Sequence, residues 1–354
     1  MRRGFRPSNL LIAIVAASLF ACFAGSLQAA EGDSAATAAL KALARAQRQS
    51  AAVEFFQPTA ADLDRAMHPE TAARKEPLSF PKGNGVRLLM TGHSWVAPGH
   101  RTLSAIAAAA GFDGHHQRAH LSGGSTGSAN SIWLTEFGKF RDKPAQPLLF
   151  PAIATGQWDV MSWGAFYGDT TECYTQWIDV CLKTNPNMTF LIQDGWPTFP
   201  QALATASADS VLTAIDAQQS LAQLVMFRAL YDSLNTRYPG KLRIIPAGAA
   251  VVEMLHHYYA GRLPGFDCVS EHLGGNRGIY RDGGHLSGAS GMEHLVGYAY
   301  FGMLYRQSPE RITGYHPRGV NATVDELMRK ATWNAIIHSP FSGITDKAGK
   351  GMAD

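Results

Sequence analysis

From Val86 onward the chain alternates short apolar runs with longer helical stretches, and this alternation constrains the fold more than any other feature. Five runs stand out. Val86–Met90 leads into Thr91-Gly92, His115–Leu121 stops at Ser122-Gly123-Gly124, and Trp158–Trp163 stops at Gly164. Met188–Ile192 ends in Gln193-Asp194-Gly195, and Leu242–Ile245 is the fifth. None shows a clean alternation of polar and apolar residues, so each reads as a strand buried on both faces. Helices are predicted over Thr102–Ala110 (entered at Pro98, closed by Gly111), Ile132–Phe140, Tyr174–Leu182, Asp209–Leu234, Ala249–Tyr259, Leu286–Leu304 and Val324–Ile337. Strands alternating with helices imply a central parallel sheet covered on both sides, a three-layer α/β/α sandwich of about five strands.

Composition agrees with a folded domain. Of 354 residues, 46% are hydrophobic and 17% charged, which supports a sizeable core and argues against a disordered chain. The net charge is +3, without a basic run or basic–aromatic interleaving, so nucleic acid is not an expected partner. Arg2, Arg3 and Arg6 precede an apolar stretch, Leu10–Ala24, and small residues follow at Ala29 and Ala30. That order reads as a signal peptide over residues 1–30. At about 15 residues the apolar stretch is short for a membrane span, which needs about 20. A periplasmic or secreted protein with no membrane span after cleavage is therefore expected. Leu19-Phe20-Ala21-Cys22 offers the alternative of a lipoprotein anchored through Cys22. Residues 31–80 read as a helical extension, with Ala35–Ala52 its most helical part, 81–340 as the main domain and 341–354 as a C-terminal tail. An oxidising compartment allows one disulfide among Cys173, Cys181 and Cys268. Cys173 and Cys181 would lie about 12 Å apart along a regular helix, so a bridge between them requires the helix to begin after Cys173.

Ligands of open parallel sheets bind beyond the carboxyl ends of the strands. After the first strand stands Gly92-His93-Ser94-Trp95, where a serine near a helix start sits among backbone N–H groups able to stabilise an oxyanion. Before the helix predicted from Leu286 stands Asp282-Gly283-Gly284-His285-Leu286-Ser287. An Asp three residues before a His can orient the imidazole and free its other nitrogen to accept a serine proton. Each segment also has a plain structural reading, Ser94 and Ser287 as helix caps and Asp282 as a turn residue. His115, His116 and His120 have no carboxylate placed near them in sequence, so no metal site is expected. Trp95, Trp163, Tyr167 and Trp196 fall at strand ends, where aromatic rings suit either a sugar ring or the core. Glu271-His272 is a further candidate for lining the cleft.

Together these blocks, in this order, resemble the SGNH (GDSL-like) hydrolase superfamily over roughly residues 86–306, as a divergent member. The resemblance implies a flavodoxin-like sandwich and an esterase that needs no cofactor. It places the nucleophile at Ser94, the base and its orienting carboxylate at His285 and Asp282, and the oxyanion N–H groups at Ser94 and at Gly123 or Gly124. Gly-His-Ser stands where the family commonly has Gly-Asp-Ser. The third block departs further: Gly164-Ala165-Phe166-Tyr167-Gly168-Asp169 lacks the family's Asn, an oxyanion donor, and Gln193 is the candidate substitute. Trp95, Tyr167, Gln193 and Trp196 are the expected substrate-binding residues. An acetylated carbohydrate is the preferred substrate. The alternatives are a lipase- or thioesterase-like acylhydrolase, and a non-catalytic carbohydrate-binding envelope protein on the same fold.

Overall fold

The computed structural model describes residues 56–68, 83–166, 168–222 and 227–353. The expected signal peptide over residues 1–30, Cys22, Ala35–Ala52 and Tyr167 lie outside these residues. Five parallel strands form one sheet in the order β2-β1-β3-β4-β5: β1 Arg87–Gly92, β2 His116–Leu121, β3 Val160–Gly164, β4 Thr189–Gln193 and β5 Leu242–Ile245. The order reverses between β1 and β3, which opens a crevice at their carboxyl ends. The fold is the expected three-layer α/β/α sandwich.

Successive side chains of each central strand enter opposite layers, which is why no alternation was visible in the sequence. Leu88 and Met90 of β1 enter one core and Leu89 the other; in β4, Leu191 opposes Phe190 and Ile192. All are buried, and each such side chain contributes about 1.5–3 kcal/mol. The polar Ser162 of β3 is accommodated because its hydroxyl meets that of Tyr300 at 2.9 Å.

The described helices are α1 Ala60–Met67, α2 Ala97–Ala109, α3 Ala129–Glu136, α4 Leu149–Ile153, α5 Thr171–Thr184, α6 Ala208–Leu221, α7 Arg228–Arg237, α8 Ala247–Tyr259, α9 His294–Tyr305 and α10 Ala322–His338. The region predicted as one helix over Asp209–Leu234 is described as α6 and α7. The helix predicted from Leu286 begins only at His294, because Gly288 and Gly291 interrupt the intervening residues with turns and Gly291 has φ +84°. Helix α4 carries no sequence signal of its own: it is short, and the buried carboxylate of Glu136 caps it by accepting from the N–H groups of Leu148, Leu149 and Phe150.

Helices α2 and α9 pack side by side with unusual intimacy. A Cβ on Gly99 would lie 2.7 Å from the Tyr300 ring, and one on Gly297 would overlap the Thr102 side chain. Arg101 pairs with Glu293 near their first turns, whereas Phe112, just past the end of α2, stacks on Tyr305, the last residue of α9, so the two helices run parallel. Their N-termini, and the loops that feed them, therefore share one rim of the sheet.

Residues 341–353 are no loose tail. Phe341 and Ile344 are buried, the Phe341 carbonyl accepts the Ile244 N–H on the edge of β5, and Met352 bridges to Gln307. Covering that edge removes an open strand that would otherwise invite pairing with another chain. Cys173, Cys181 and Cys268 are buried free thiols. Helix α5 begins at Thr171, ahead of Cys173, and so holds the first two too far apart to bridge.

Candidate active site

Strand β1 ends at Gly92, whose φ of +150° and tight surroundings admit no side chain: a Cβ there would lie 2.7 Å from Val96 and 2.9 Å from the Gly164 nitrogen. The chain turns at once, with the Val96 N–H bonded to the His93 carbonyl, and enters α2. Ser94 sits on this turn, half-buried, at the carboxyl end of the strand beside the switch in strand order.

The second segment forms a tight loop before α9. The Arg281 N–H donates to the His285 carbonyl at 2.8 Å, and Tyr280 bridges to Leu286 in antiparallel fashion. Gly283 at the tip has φ +76°, and a Cβ there would lie 2.5 Å from the Phe199 carbonyl oxygen. Asp282 caps the loop from within: its Oδ1 accepts the backbone N–H of His285 at 2.9 Å and that of Gly284 at 3.2 Å. The His285 Nδ1 lies 2.9 Å from both carboxylate oxygens. Partial burial raises the Asp282 pKa, but hydrogen bonds from His285, Arg281 and Gly284 outweigh it and hold the carboxyl well below its ordinary range.

These two segments meet. The Ser94 Oγ and the His285 Nε2 are 2.8 Å apart across 191 residues of chain. Asp282 can only accept, so Nδ1 carries the ring proton and Nε2 presents a lone pair to the serine hydroxyl. This arrangement can withdraw a proton from Ser94 as its oxygen attacks an electrophile.

His93, where the resemblance expects Asp, is buried. Desolvation depresses its pKa, keeping the ring neutral. Its Nε2–H donates to the Ala165 carbonyl at 2.9 Å, and its Nδ1 faces the Trp95 N–H at 3.4 Å. A donor is needed at that place, which a carboxylate could not supply. The loop after β3 is thereby committed to structure: the Ala165 N–H donates to Gln193, and its carbonyl is taken by His93. Asp169, from the same loop, accepts the Ala129 and Asn130 N–H groups at the start of α3, and burial pushes its pKa up to about 6.

The remaining expected site residues fall in different places. Gln193 is buried: its Nε2 donates one N–H to the Trp95 carbonyl at 3.1 Å and its Oε1 meets no hydrogen-bond partner, which leaves the second amide N–H as the donor it could offer an oxyanion. Trp196 is 1% exposed, so it offers no face to a sugar; its indole stacks on Trp95 at 4.7 Å. Trp95 itself is half-buried. Gly123 and Gly124 are exposed with open space above each Cα, whereas a Cβ on Gly127 would lie 2.5 Å from the Gly92 oxygen. Close approach to the nucleophile turn is thus made by Gly127, which sequence reasoning passed over; the Gly-x-x-Gly spacing was its only signal.

Glu271 and His272 support the second segment rather than forming a separate site. The Glu271 carboxylate accepts the Ser287 hydroxyl and the Gly278 N–H, and the His272 Nδ1 lies 2.8 Å from the Ser270 Oγ. Among the described residues no group of three or more His, Cys, Asp or Glu side chains is arranged to hold a metal ion. His115 contacts the Tyr305 hydroxyl and Gln117, while His116 packs against Trp158.

No protein-family profile matches the chain, and no curated protein matches it. Among solved structures, a DUF4886 family protein from Bacteroides uniformis is similar. It has 15% identity, a TM-score of 0.47, and coverage of 72% of this chain and 96% of that one.

Proposed function

We propose that the protein is an exported serine hydrolase that cleaves an ester through acyl transfer, with Ser94 as nucleophile, His285 as general base and Asp282 holding the imidazole. The observation that carries this reading is the 2.8 Å contact between the Ser94 hydroxyl and His285 Nε2, backed by a carboxylate on Nδ1. A serine that merely capped a helix would need neither partner. Ser94 is half-buried and its imidazole partner 35% exposed, so substrate can approach the pair.

In the proposed reaction His285 takes the Ser94 proton while Oγ attacks the acyl carbon. The imidazolium then returns the proton to the departing alcohol, leaving an acyl-serine. Water, deprotonated by the same nitrogen, attacks that ester and releases the acid. The developing oxyanion is met by the Ser94 N–H, with a Gly123 or Gly124 N–H as the second donor. Without the family's Asn, and with one Gln193 N–H taken by Trp95, the third donor is either the other Gln193 N–H or missing; each missing donor typically costs about 2.7–4 kcal/mol of transition-state stabilisation. No cofactor enters the scheme.

A fluorophosphonate probe tests the reading. The wild-type protein should be labelled on Ser94, and Ser94→Ala should not be. A wild-type protein that stays unlabelled would favour the carbohydrate-binding alternative. A series of p-nitrophenyl esters of rising chain length separates an acetylesterase, our preferred reading for a carbohydrate substrate, from a lipase- or thioesterase-like enzyme. The N-terminal sequence of exported protein would report cleavage near Ala30 or at Cys22.

A further inference from the structure

The loop after β4 touches both halves of the catalytic pair. On one side, Gln193 donates to the Trp95 carbonyl, and the Trp196 indole lies on the Trp95 ring at 4.7 Å with an interplanar angle of 17°. On the other side, the Trp196 Nε1–H donates to the Gly284 carbonyl at 2.8 Å, the Phe199 N–H to the Gly283 carbonyl at 2.7 Å, and the Tyr280 hydroxyl to the Pro197 carbonyl at 2.6 Å. Trp95 directly follows the nucleophile, and Gly284 stands between Asp282 and His285.

We infer that Trp196 is a positioning residue that sets the distance between Ser94 and His285, with one ring bearing on both segments. This rests on the serine-hydrolase reading and adds a role for a residue that never touches substrate. Two features single out Trp196 within the loop. Its ring face meets the nucleophile turn and its N–H meets the base loop, so a single rigid group spans the gap. It is also fully packed, whereas the Ser94, His285 and Asp282 side chains are partly exposed and find less support from packing. Proton transfer depends steeply on donor–acceptor geometry, and a displacement of about 1 Å can cost about 100-fold in rate. Loss of the N–H to Gly284 removes the tie nearest His285 while the Phe199 and Tyr280 bonds remain, so the loop loosens and the Ser94–His285 contact lengthens without removing either residue.

The test is the concentration dependence of fluorophosphonate labelling, which separates the maximal inactivation rate from the apparent affinity. Trp196→Phe keeps an aromatic face toward Trp95 and loses the N–H. Should Trp196→Phe fold poorly, benzothienylalanine at position 196 exchanges the indole N–H for sulfur at nearly constant shape. We expect the maximal labelling rate to fall at least about 10-fold with apparent affinity close to wild type, and the thermal midpoint to drop for the lost hydrogen bond and ring volume while the variant stays folded. A folded variant labelled within twofold of the wild-type maximal rate overturns the inference while leaving the hydrolase reading intact. So does a variant in which only the affinity changes. If wild-type protein is not labelled at all, the hydrolase reading falls and takes this role with it.

Discussion

Asp282 and His285 share three hydrogen-bonding contacts within one turn: the carboxylate accepts the histidine's backbone N–H and faces its Nδ1 with both oxygens. One residue thus shapes the loop and fixes the tautomer of the base. These two tasks should separate on mutation. Asp282→Asn can still turn an oxygen to the backbone but leaves nothing that demands a proton on Nδ1. Activity should fall about 10³–10⁴-fold, while thermal unfolding shifts only modestly. Steady-state rates and a melting curve on the same sample check both halves. Because the Asp282 pKa is depressed, its contribution to stability is complete above the ordinary carboxylate range and lost only in strong acid.

His93→Asp would recreate the commoner Gly-Asp-Ser sequence, yet it should harm this protein. The Ala165 carbonyl would then face a second acceptor in a buried site where it now receives the Nε2–H. We expect a loss of about 1–3 kcal/mol, measured by urea unfolding. His93→Asn, which can offer an N–H from its amide, should lose less. Equal stability of wild type and His93→Asp would refute the assigned donor role.

Glycines near the site are not equivalent. Gly127→Ala would push the loop after β2 off the nucleophile turn, because the new Cβ meets the Gly92 oxygen at 2.5 Å and the His93 Cα at 2.7 Å. A cost of about 1–3 kcal/mol is expected. Gly123→Ala meets nothing within 4 Å and has φ −82°, so its stability should stay within about 0.5 kcal/mol of wild type. Unfolding curves of the two variants in parallel decide the matter, and the reverse ranking would contradict the packing described.

Glu136 gives the fold a specific pH response. Burial pushes its pKa from 4.5 up to about 7, although backbone N–H groups of residues 148–150 partly counteract this. The folded state therefore binds the proton more tightly than the unfolded chain. Its contribution is fullest below about 4.5 and is lost as pH rises through about 7. Buried neutral histidines such as His93 act in the opposite sense, so the comparison must be differential. Relative to Glu136→Gln, the wild type should gain stability as pH falls from 7 to 4.5, by at most about 3 kcal/mol. Denaturant titrations at several pH values measure this, and a difference independent of pH would rule it out.

Much of the architecture was legible in the chain. Each of the five strands lies within two residues of its predicted run, and in the central strands this is because a strand covered on both faces must be largely apolar; β2, an edge strand of mostly polar residues, is only partly buried, not covered on both faces as expected. The Asp282–His285 pairing was legible too, being local: a carboxylate three residues before an imidazole needs only a glycine turn to reach it. Other features were not. The stretch before α9 is held by Ser287 reaching Glu271 across a loop, and α4 depends on a carboxylate twelve residues upstream of its first N–H partner. Trp196 and Gln193 were expected to line the cleft because they stand at or just after a strand end, but both are buried. Nothing in sequence could say that the Trp196 N–H goes to Gly284 and a Gln193 N–H to Trp95.

By itself, the sequence determined what depends on neighbours along the chain: the period of burial, the glycines that permit sharp turns, and the chemical types standing at the strand ends. Only the tertiary structure decided that α2 and α9 run parallel, and hence that Ser94 and His285 come to one rim. That outcome rests on Gly99 and Gly297 letting two helices approach closely, a contact between segments almost 200 residues apart that local preference cannot encode.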